Sequence, residues 1–373
     1  MKKRILIAFG TRPEALKFVP LIQVLKSSKD FDCFVCLTGQ HREMLDQVIR
    51  FFKIKIDVDL RLMRTNQSLE YVSGRVITKF GKIIRRINPD LVFVQGDTAT
   101  AVMVAISSYY SKIPIAHLEA GLRTWNKYHP FPEEGNRTLI SHLADYHFTP
   151  TSIATANLLR EGIHKKFIYQ VGNTVVDTVQ LAKPIVKKNY DIFKNVDLKK
   201  RIAFVTAHRK ESFGRGLTEI FLALKMIVRD FKDVEIVYPV HLNPKVLEPA
   251  RKMLGGIKRI HLMRPFTYEE VVWMMNQCYL ILTDSGGIQE EAPSFKKPVL
   301  VLRSVTERPE GIQAGIAKLV GTNRTQILKA TKELLSSRRS YERMTPKRNP
   351  YGDGKCARRI ITHLRNIKNM SKL

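Results

Sequence analysis

The chain has 373 residues, of which 44% are hydrophobic and 26% charged, a balance that excludes collagen-like, coiled-coil and disordered proteins. Lysine and arginine number 63 against 34 acidic residues, so the formal net charge is +29 and an anionic ligand or surface is expected. Four cysteines are too few for a disulfide scaffold, and the apolar runs stop short of the roughly 18 residues that a membrane helix needs. We therefore expect a cytoplasmic protein without membrane insertion.

The basic residues occur in twos and threes, as at Lys199, Lys200 and Arg201, without one long run or an interleaved aromatic series. This distribution disfavours nucleic acid as the partner. A non-enzymatic nucleic-acid binder stays open on net charge alone, and it would bind with a steep dependence on salt.

The first half of the chain alternates short apolar runs with longer helical patterns. Apolar residues recur at helical spacing over 14–25 and 44–52, which predicts two helices. Strands are predicted over residues 4–9, 31–37, 91–95, 113–117, 146–149 and 167–171. Strands buried on both faces that alternate with helices predict a parallel sheet flanked by helices.

The same pattern restarts after a basic, proline-containing stretch at 183–200. Strands are predicted over residues 202–206, 234–239, 259–263, 279–283 and 299–302. We expect an α/β protein of two Rossmann-like, doubly wound domains, with the ligand cleft between the carboxyl ends of both sheets. The predicted domains are residues 1–175, rejoined by a C-terminal helix in 353–373, and residues 176–352.

The first predicted strand runs into a glycine turn that opens a helix, Gly10 to Glu14. Such a turn presents backbone N–H groups and a positive dipole end, and Arg12 adds a fixed cation, so the segment suits a phosphate or diphosphate. A plain turn with Pro13 at the helix start is the alternative. The chain contains neither the G-x-G-x-x-G pattern nor a P-loop, which disfavours a nicotinamide dinucleotide or a P-loop nucleotide site.

Three carboxylates follow predicted strands in the first half: Asp97, Glu119 and Glu133. Crowded acids raise one another's pKa, which suits general acid and base chemistry. Helix capping explains Asp97 or Glu133 singly but not all three. A divalent metal is the rival use, and the lack of an H-E-x-x-H or strand-end D-x-D pattern favours no metal. The spacing of Cys33 and Cys36 matches a metal or redox knuckle, but strand geometry and the lack of a second pair argue against one.

In the second half, His208 precedes Arg209 and a glycine-rich turn, which favours a phosphate-facing side chain over a buried structural imidazole. A Ser-Gly-Gly turn at residues 285–287 enters a helix as a second anion site, and Glu291, about one helical turn on, is placed to accept hydrogen bonds from ribose hydroxyls. Two anion sites and an acidic cluster without a redox or P-loop motif indicate a nucleotide-diphosphate sugar.

Nine segments in order along the chain resemble the motifs of the non-hydrolysing UDP-N-acetylglucosamine 2-epimerases: 10–14, 38–41, 95–98, 117–124, 128–134, 206–209, 239–244, 284–291 and 349–354. The resemblance implies a GT-B fold, a homodimer, and interconversion of UDP-GlcNAc and UDP-ManNAc without cofactor or metal, supplying ManNAc units for cell-surface polysaccharides. It also implies that UDP leaves C1 as a base removes the C2 proton, and that UDP then adds back to the 2-acetamidoglucal with the proton delivered to the other face.

The resemblance assigns a role to each matched residue. It gives acid and base steps to Asp97, Glu119 and Glu133, and stabilisation of the leaving diphosphate or help in proton transfer to His208. The UDP-binding residues that it implies are Arg12, His241, Ser285, Gly286, Gly287 and Glu291.

Three enzymatic alternatives stay open beside this interpretation. A hydrolysing relative would release free ManNAc and UDP, and another epimerase would act on a different UDP-2-acetamido sugar. Gln40, His41 and the segment 128–133 favour the GlcNAc type. A GT-B glycosyltransferase would share the nucleotide site but would need an acceptor and would leave the three acids unused.

Overall fold

The computed structural model describes residues 2–39, 42–62, 68–345 and 348–367. The chain divides into two compact units, Met1–Leu181 with Tyr351–Leu373 and Ala182–Pro350. Within the described residues, no helix combines the length and the apolar character needed to cross a membrane.

The first unit is built on a parallel sheet in the order β3-β2-β1-β4-β5-β6-β7. Its strands are β1 (Lys3–Phe9), β2 (Phe31–Leu37), β3 (Val58–Asp59), β4 (Leu91–Gln95), β5 (Ile115–Leu118), β6 (Tyr146–Thr149) and β7 (Ile168–Gln170). Its first seven helices are α1 (Arg12–Ser27), α2 (Arg42–Phe51), α3 (Leu69–Ile87), α4 (Ala99–Tyr110), α5 (Glu133–Leu143), α6 (Ser152–Arg160) and α7 (Thr174–Ala182). The strand order reverses between β1 and β4, and ligands of doubly wound sheets bind at the carboxyl ends beside such a point.

The second unit repeats this plan around a parallel sheet in the order β10-β9-β8-β11-β12-β13. Its strands are β8 (Arg201–Thr206), β9 (Val234–Pro239), β10 (Ile260–Met263), β11 (Leu280–Thr283), β12 (Val299–Val301) and β13 (Ala317–Leu319). Its helices are α8 (Arg215–Asp230), α9 (Pro244–Leu254), α10 (Tyr268–Gln277), α11 (Gly286–Glu291), α12 (Pro309–Gln313), α13 (Arg324–Ser336) and α14 (Arg338–Arg343).

The chain returns to the first unit through its last described helix, α15 (Cys356–Asn366), which packs on α1. The Asp177 carboxylate accepts the backbone N–H groups of Cys356 at 3.3 Å and Ala357 at 2.9 Å. The first N–H groups of a helix have no partner inside the helix, so this carboxylate caps α15. Asp177 therefore ties the returning chain to α7.

Each unit has its own apolar core, because its strands are buried on both faces. Leu6, Val76 and Val92 are buried in the first core, and Phe221, Ile236 and Leu282 in the second. A sheet covered in this way fixes the register of every strand and holds the loops at the strand ends on a rigid base.

Candidate active site

The turn after β4 positions Asp97. Its carboxylate accepts a hydrogen bond from the Arg137 guanidinium, which is buried, and its backbone carbonyl accepts one from the Asn136 side chain at 2.9 Å. Both partners belong to α5, so that helix fixes the turn. A quarter of the Asp97 side chain stays exposed, which leaves it accessible to a ligand.

Glu119 follows β5 and is almost fully buried, with its backbone in the left-handed region at φ +63°. One carboxylate oxygen accepts from the Lys17 ammonium of α1 and, at 3.4 Å, from the Asn173 amide. The other oxygen accepts from the Gln95 amide at the end of β4. Cation and amide donors stabilise a carboxylate that burial would otherwise disfavour, so Glu119 is held in one position.

Helix α5 begins at Glu133, the third predicted acid, and one of its carboxylate oxygens is buried without a hydrogen-bond partner among the described residues. The neighbouring Glu134 behaves differently. It accepts the backbone N–H groups of Thr124 and Trp125, both at 2.9 Å, and lies 3.4 Å from Arg137. One carboxylate oxygen of Glu134 thus anchors the 124–125 turn, while its Oε2 atom, like that of Glu133, is buried without a hydrogen-bond partner among the described residues.

Asp97 and Glu119 follow two paired strands, β4 and β5, and Glu133 starts the helix that binds Asp97. Gln95 precedes the Asp97 turn and also binds Glu119, and a Cβ placed on Gly96 would lie 3.6 Å from a Glu119 oxygen. Through Arg137, the helix that begins with Glu133 binds Asp97. The three predicted acids thus belong to connected segments at the carboxyl end of the first sheet.

The turn after β1 departs in part from the sequence expectation. The buried Glu14 carboxylate accepts the backbone N–H of Gly10 at 3.0 Å and of Thr11 at 2.8 Å, and the hydroxyls of Thr11 and Thr98. Burial raises the pKa of Glu14 although these donors act against the rise. The expectation of free N–H groups is wrong for these two residues, because the helix carries its own anion in a capping box. Arg12 is the first residue of α1 and directly follows this turn.

In the second unit, a histidine pair follows β8 and β9. The His208 and His241 rings stack with centroids 5.4 Å apart and an angle of 12° between their planes. Burial, followed by the neighbouring His208, lowers the pKa of His241. The side chain of His208 is 38% exposed, so a ligand can reach it.

The predicted Ser-Gly-Gly turn lies between β11 and α11. Ser285 caps α11 through its side chain, and Gly286 and Gly287 are the first two residues of the helix. A Cβ on Gly286 would meet the Arg308 guanidinium carbon at 3.3 Å, and Arg308 is bound to Glu290 at 2.8 Å. The turn thus combines helix N–H groups with a nearby cation, which suits an anion.

Glu291 is the last residue of α11 and is buried, with a carboxylate oxygen 3.9 Å from the position of a Cβ on Gly287. Glu307, which follows β12, is bound by Arg303 at 2.9 and 3.3 Å. Burial alone would raise the pKa of Glu307, but the Arg303 hydrogen bonds and the charges of Arg308 and Arg303 lower it to about 2. Glu307 therefore stays ionised and holds both arginines in place.

Sequence reasoning missed Lys17, Arg137 and Asp284, the groups that hold the predicted residues. A signal for Lys17 was present, since it stands between Leu16 and Phe18 on a buried face of α1, where an unpaired ammonium is costly.

Gln40 and His41, which the sequence analysis used to favour the GlcNAc type, lie outside the described residues. Thr38, at the start of the same segment, is described and is buried. Within the described ranges, no group of three or more His, Cys, Asp or Glu residues could hold a metal ion.

The two parallel sheets are those of the GT-B fold: MurG of Acinetobacter baumannii, a GT-B enzyme, matches with a TM-score of 0.61 over 98% of this chain and 100% of its own, at 11% identity that indicates the fold alone. The structure of UDP-GlcNAc 2-epimerase from Neisseria meningitidis, bound to UDP-GlcNAc, matches with a TM-score of 0.92 and 40% identity over 97% of this chain and 100% of its own.

At the level of sequence, the model of the family described as UDP-N-acetylglucosamine 2-epimerase matches residues 23–365. UDP-N-acetylglucosamine 2-epimerase of Escherichia coli (strain K12) is 46% identical over 370 residues, which cover 97% of this chain and 98% of that protein. The chain belongs to the UDP-N-acetylglucosamine 2-epimerase family. The family and the fold that the sequence motifs predicted are both confirmed.

Proposed function

We propose that this protein catalyses the reversible C2 epimerisation of UDP-GlcNAc to UDP-ManNAc as a non-hydrolysing epimerase. Membership of the family supports the reaction class. The observation that supports the proposal most is the position of Asp97 and Glu119 after neighbouring strands, with Glu119 held by Lys17 and Gln95 and with Glu133 at the start of the helix that binds Asp97. Inversion at carbon needs a proton removed from one face and delivered to the other, and positioned carboxylates suit both steps.

The C2 proton of the sugar has no adjacent carbonyl and is a very weak acid. We propose that a carboxylate removes it while the C1–oxygen bond breaks, and the bonding electrons stay on the UDP oxygen. The products of this step are UDP and 2-acetamidoglucal. UDP then adds back to C1 while an acid delivers a proton to C2 from the other face. Asp97, Glu119 and Glu133 are the groups that we propose for these transfers.

The groups of the second unit are proposed to bind UDP. Ser285, Gly286 and Gly287 would bind the diphosphate through helix N–H groups, and Glu291 would accept hydrogen bonds from the ribose. The remaining proposed ligands are Arg12 of the first unit for the diphosphate, His208 for the developing charge on the leaving group, and His241 for UDP.

We also propose that the enzyme is a cytoplasmic homodimer. Its four cysteines are all free, as is usual in reducing compartments. Tyr109 and Tyr110 at the end of α4 are 59% and 71% exposed, and Leu139 of the adjacent α5 is 55% exposed. Exposed apolar side chains of this size are enriched at protein interfaces. Light scattering of the purified protein tests the dimer, and a monomeric mass would contradict it.

Product analysis tests the proposed reaction. The purified protein is incubated with UDP-GlcNAc, without added metal or cofactor, and proton and phosphorus NMR follow the products. A constant amount of nucleotide-bound sugar, shared between UDP-GlcNAc and UDP-ManNAc, is expected. Accumulation of free ManNAc and UDP would move the protein to the hydrolysing type. An unchanged spectrum would contradict UDP-GlcNAc as the substrate and would direct the test to other UDP-2-acetamido sugars.

A further inference from the structure

A fully buried acid, Asp284, lies behind the histidine pair of the second unit. It follows β11, directly before the Ser-Gly-Gly turn. Its Oδ2 atom accepts the backbone N–H groups of His208 at 2.5 Å and Arg209 at 2.7 Å. Its Oδ1 atom has no hydrogen-bond partner among the described residues and lies 3.4 Å from Nδ1 of His208. The same carboxylate therefore contacts both the backbone and the ring of one residue.

The side chains next to Asp284 do not bind its Oδ1 atom, which faces the ring of His208. The buried hydroxyl of Tyr238 donates to the backbone carbonyl of Ala207 at 2.6 Å. Burial and the charge of Asp284 raise the pKa of Tyr238, so this hydroxyl stays protonated. His241 stacks on the face of the His208 ring. Nδ1 of His208 is thus the ring nitrogen turned towards the carboxylate.

We propose that Asp284 is a positioning residue that keeps a proton on Nδ1 of His208 and so directs Nε2 of the ring to the ligand. A carboxylate oxygen accepts hydrogen bonds, so the ring nitrogen that faces it acts as the donor in this arrangement. The partner of one ring nitrogen determines which nitrogen carries the proton. In the neutral ring Nε2 is then free to accept a proton, and after protonation it is a cationic donor for the diphosphate.

This inference rests on the role proposed above for His208, but the ring itself can be measured in the free enzyme. A purely structural Asp284 would only fix the loop through the N–H groups of His208 and Arg209. Asp284→Asn separates the two roles. The amide oxygen of asparagine can accept both N–H groups, whereas its NH₂ group would face Nδ1 and require that nitrogen to accept. The variant should therefore move the proton to Nε2 while it keeps the loop.

The experiment is nitrogen NMR of protein labelled at its histidine side chains, with the His208 signals assigned by their absence in His208→Gln. In the wild-type enzyme at a pH where the ring is neutral, we expect the Nδ1–H form. In Asp284→Asn we expect the Nε2–H form and a kcat reduced about 100-fold or more, with KM within about threefold. Asp233→Asn is the matched control, because this aspartate of the same unit is 59% exposed and binds Arg201 at the surface.

An Nε2–H form in the wild-type enzyme would overturn the proposal, and so would an Asp284→Asn variant that keeps the wild-type kcat. If this variant does not fold, the wild-type spectrum alone still decides which nitrogen carries the proton. Full activity of His208→Gln would contradict the role proposed for His208, and the catalytic consequence drawn for Asp284 with it. If UDP-GlcNAc is not the substrate, the spectrum remains a test of the Asp284 contact, so the two failures can be told apart.

Discussion

The two units share a fold but hold their candidate groups in opposite ways. In the first unit, side chains bind the acids: Arg137 holds Asp97, and Lys17 with Gln95 holds Glu119. In the second unit, a buried acid binds the backbone: Asp284 accepts two N–H groups of the loop that carries His208. A neighbouring turn presents two glycines at a helix start.

This difference agrees with the roles proposed for the two sets of groups. A carboxylate that transfers protons must sit in a fixed position and still be able to change charge, and flanking cations and amides provide that position. A diphosphate needs N–H groups and room for close approach, which a glycine turn provides. The comparison shows that the same kind of sheet edge can carry held carboxylates or a glycine turn at a helix start, according to the side chains behind it.

The largest effect is expected for Asp97→Asn in the first unit. The amide cannot transfer the proton, so kcat should fall about 1,000-fold, while the affinity for UDP, measured by calorimetry, stays largely intact. Asp32→Asn is the matched control, because Asp32 is a half-exposed strand residue that pairs with Lys2. Loss of UDP binding with normal turnover per bound enzyme would exclude the acid or base role.

The buried Lys17–Glu119 pair tests whether Glu119 contributes to stability, to catalysis or to both. Glu119→Gln leaves a buried ammonium without this carboxylate, so the free energy of unfolding should fall by about 3 kcal/mol and kcat should fall as well. The double variant Lys17→Met/Glu119→Gln should regain most of the stability but none of the activity. Denaturant titration and turnover assays measure both quantities. A double variant that regains activity would show that Glu119 serves the fold alone.

For the second unit, Gly287→Ala tests the approach of the diphosphate. Outside the adjoining helix backbone, a Cβ at this position would meet Ser285 Oγ at 3.8 Å and Glu291 at 3.9 Å, which are ordinary contact distances, so the fold should tolerate it. If the diphosphate approaches this turn, calorimetry should show UDP binding weakened about tenfold, or about 1.4 kcal/mol. Gly74→Ala, in the exposed part of α3, is the control because its Cβ would meet nothing within 4 Å. Equal UDP affinity in both variants would place the diphosphate elsewhere.

A further prediction concerns stability instead of catalysis and rests on His117, a buried histidine of the first unit. His117 is buried, its Nε2 lies 2.8 Å from the Gly96 carbonyl, and burial lowers its pKa to about 3. Between pH 6.5 and about 3 the unfolded chain binds a proton here that the folded chain does not. The free energy of unfolding should therefore fall with decreasing pH, by at most about 1.4 kcal/mol per pH unit.

Denaturant titrations of the wild-type protein and His117→Gln at pH 7, 6 and 5 measure this contribution. The wild-type stability should fall more steeply than that of the variant, and parallel curves would contradict the assignment. The prediction also marks a contrast between the units, since His208 of the second unit is accessible and His117 is not.

Much of the fold was predictable because its strands are apolar, short and separated by helical patterns. The predicted strands at 31–37, 91–95, 146–149 and 234–239 have the observed bounds. The strands β3 and β13 were not predicted, since two or three residues carry no measurable periodicity. The ends of the other predicted strands differ from the observed ends by one or two residues. The strand predicted over 113–117, for example, is observed as β5 at Ile115–Leu118.

The candidate site was predictable at the level of motifs and less so at the level of contacts. Strand ends indicated the three acids, but the partners of those acids come from distant segments, as Lys17 does for Glu119. A spacing rule also could not show that Glu14 would occupy the N–H groups of Gly10 and Thr11. Such pairings depend on which helix faces which strand end, and that depends on tertiary packing.

The most direct test of the central claim is proton exchange at C2 in heavy water. The enzyme is incubated with UDP-GlcNAc in D₂O, and proton NMR follows the C2 signals of both nucleotide sugars. Proton transfer by the carboxylates of the first unit predicts deuterium at C2 of UDP-ManNAc and, with time, of UDP-GlcNAc, and predicts that Asp97→Asn loses the exchange. Epimerisation that leaves the C2 protons in place would contradict this account.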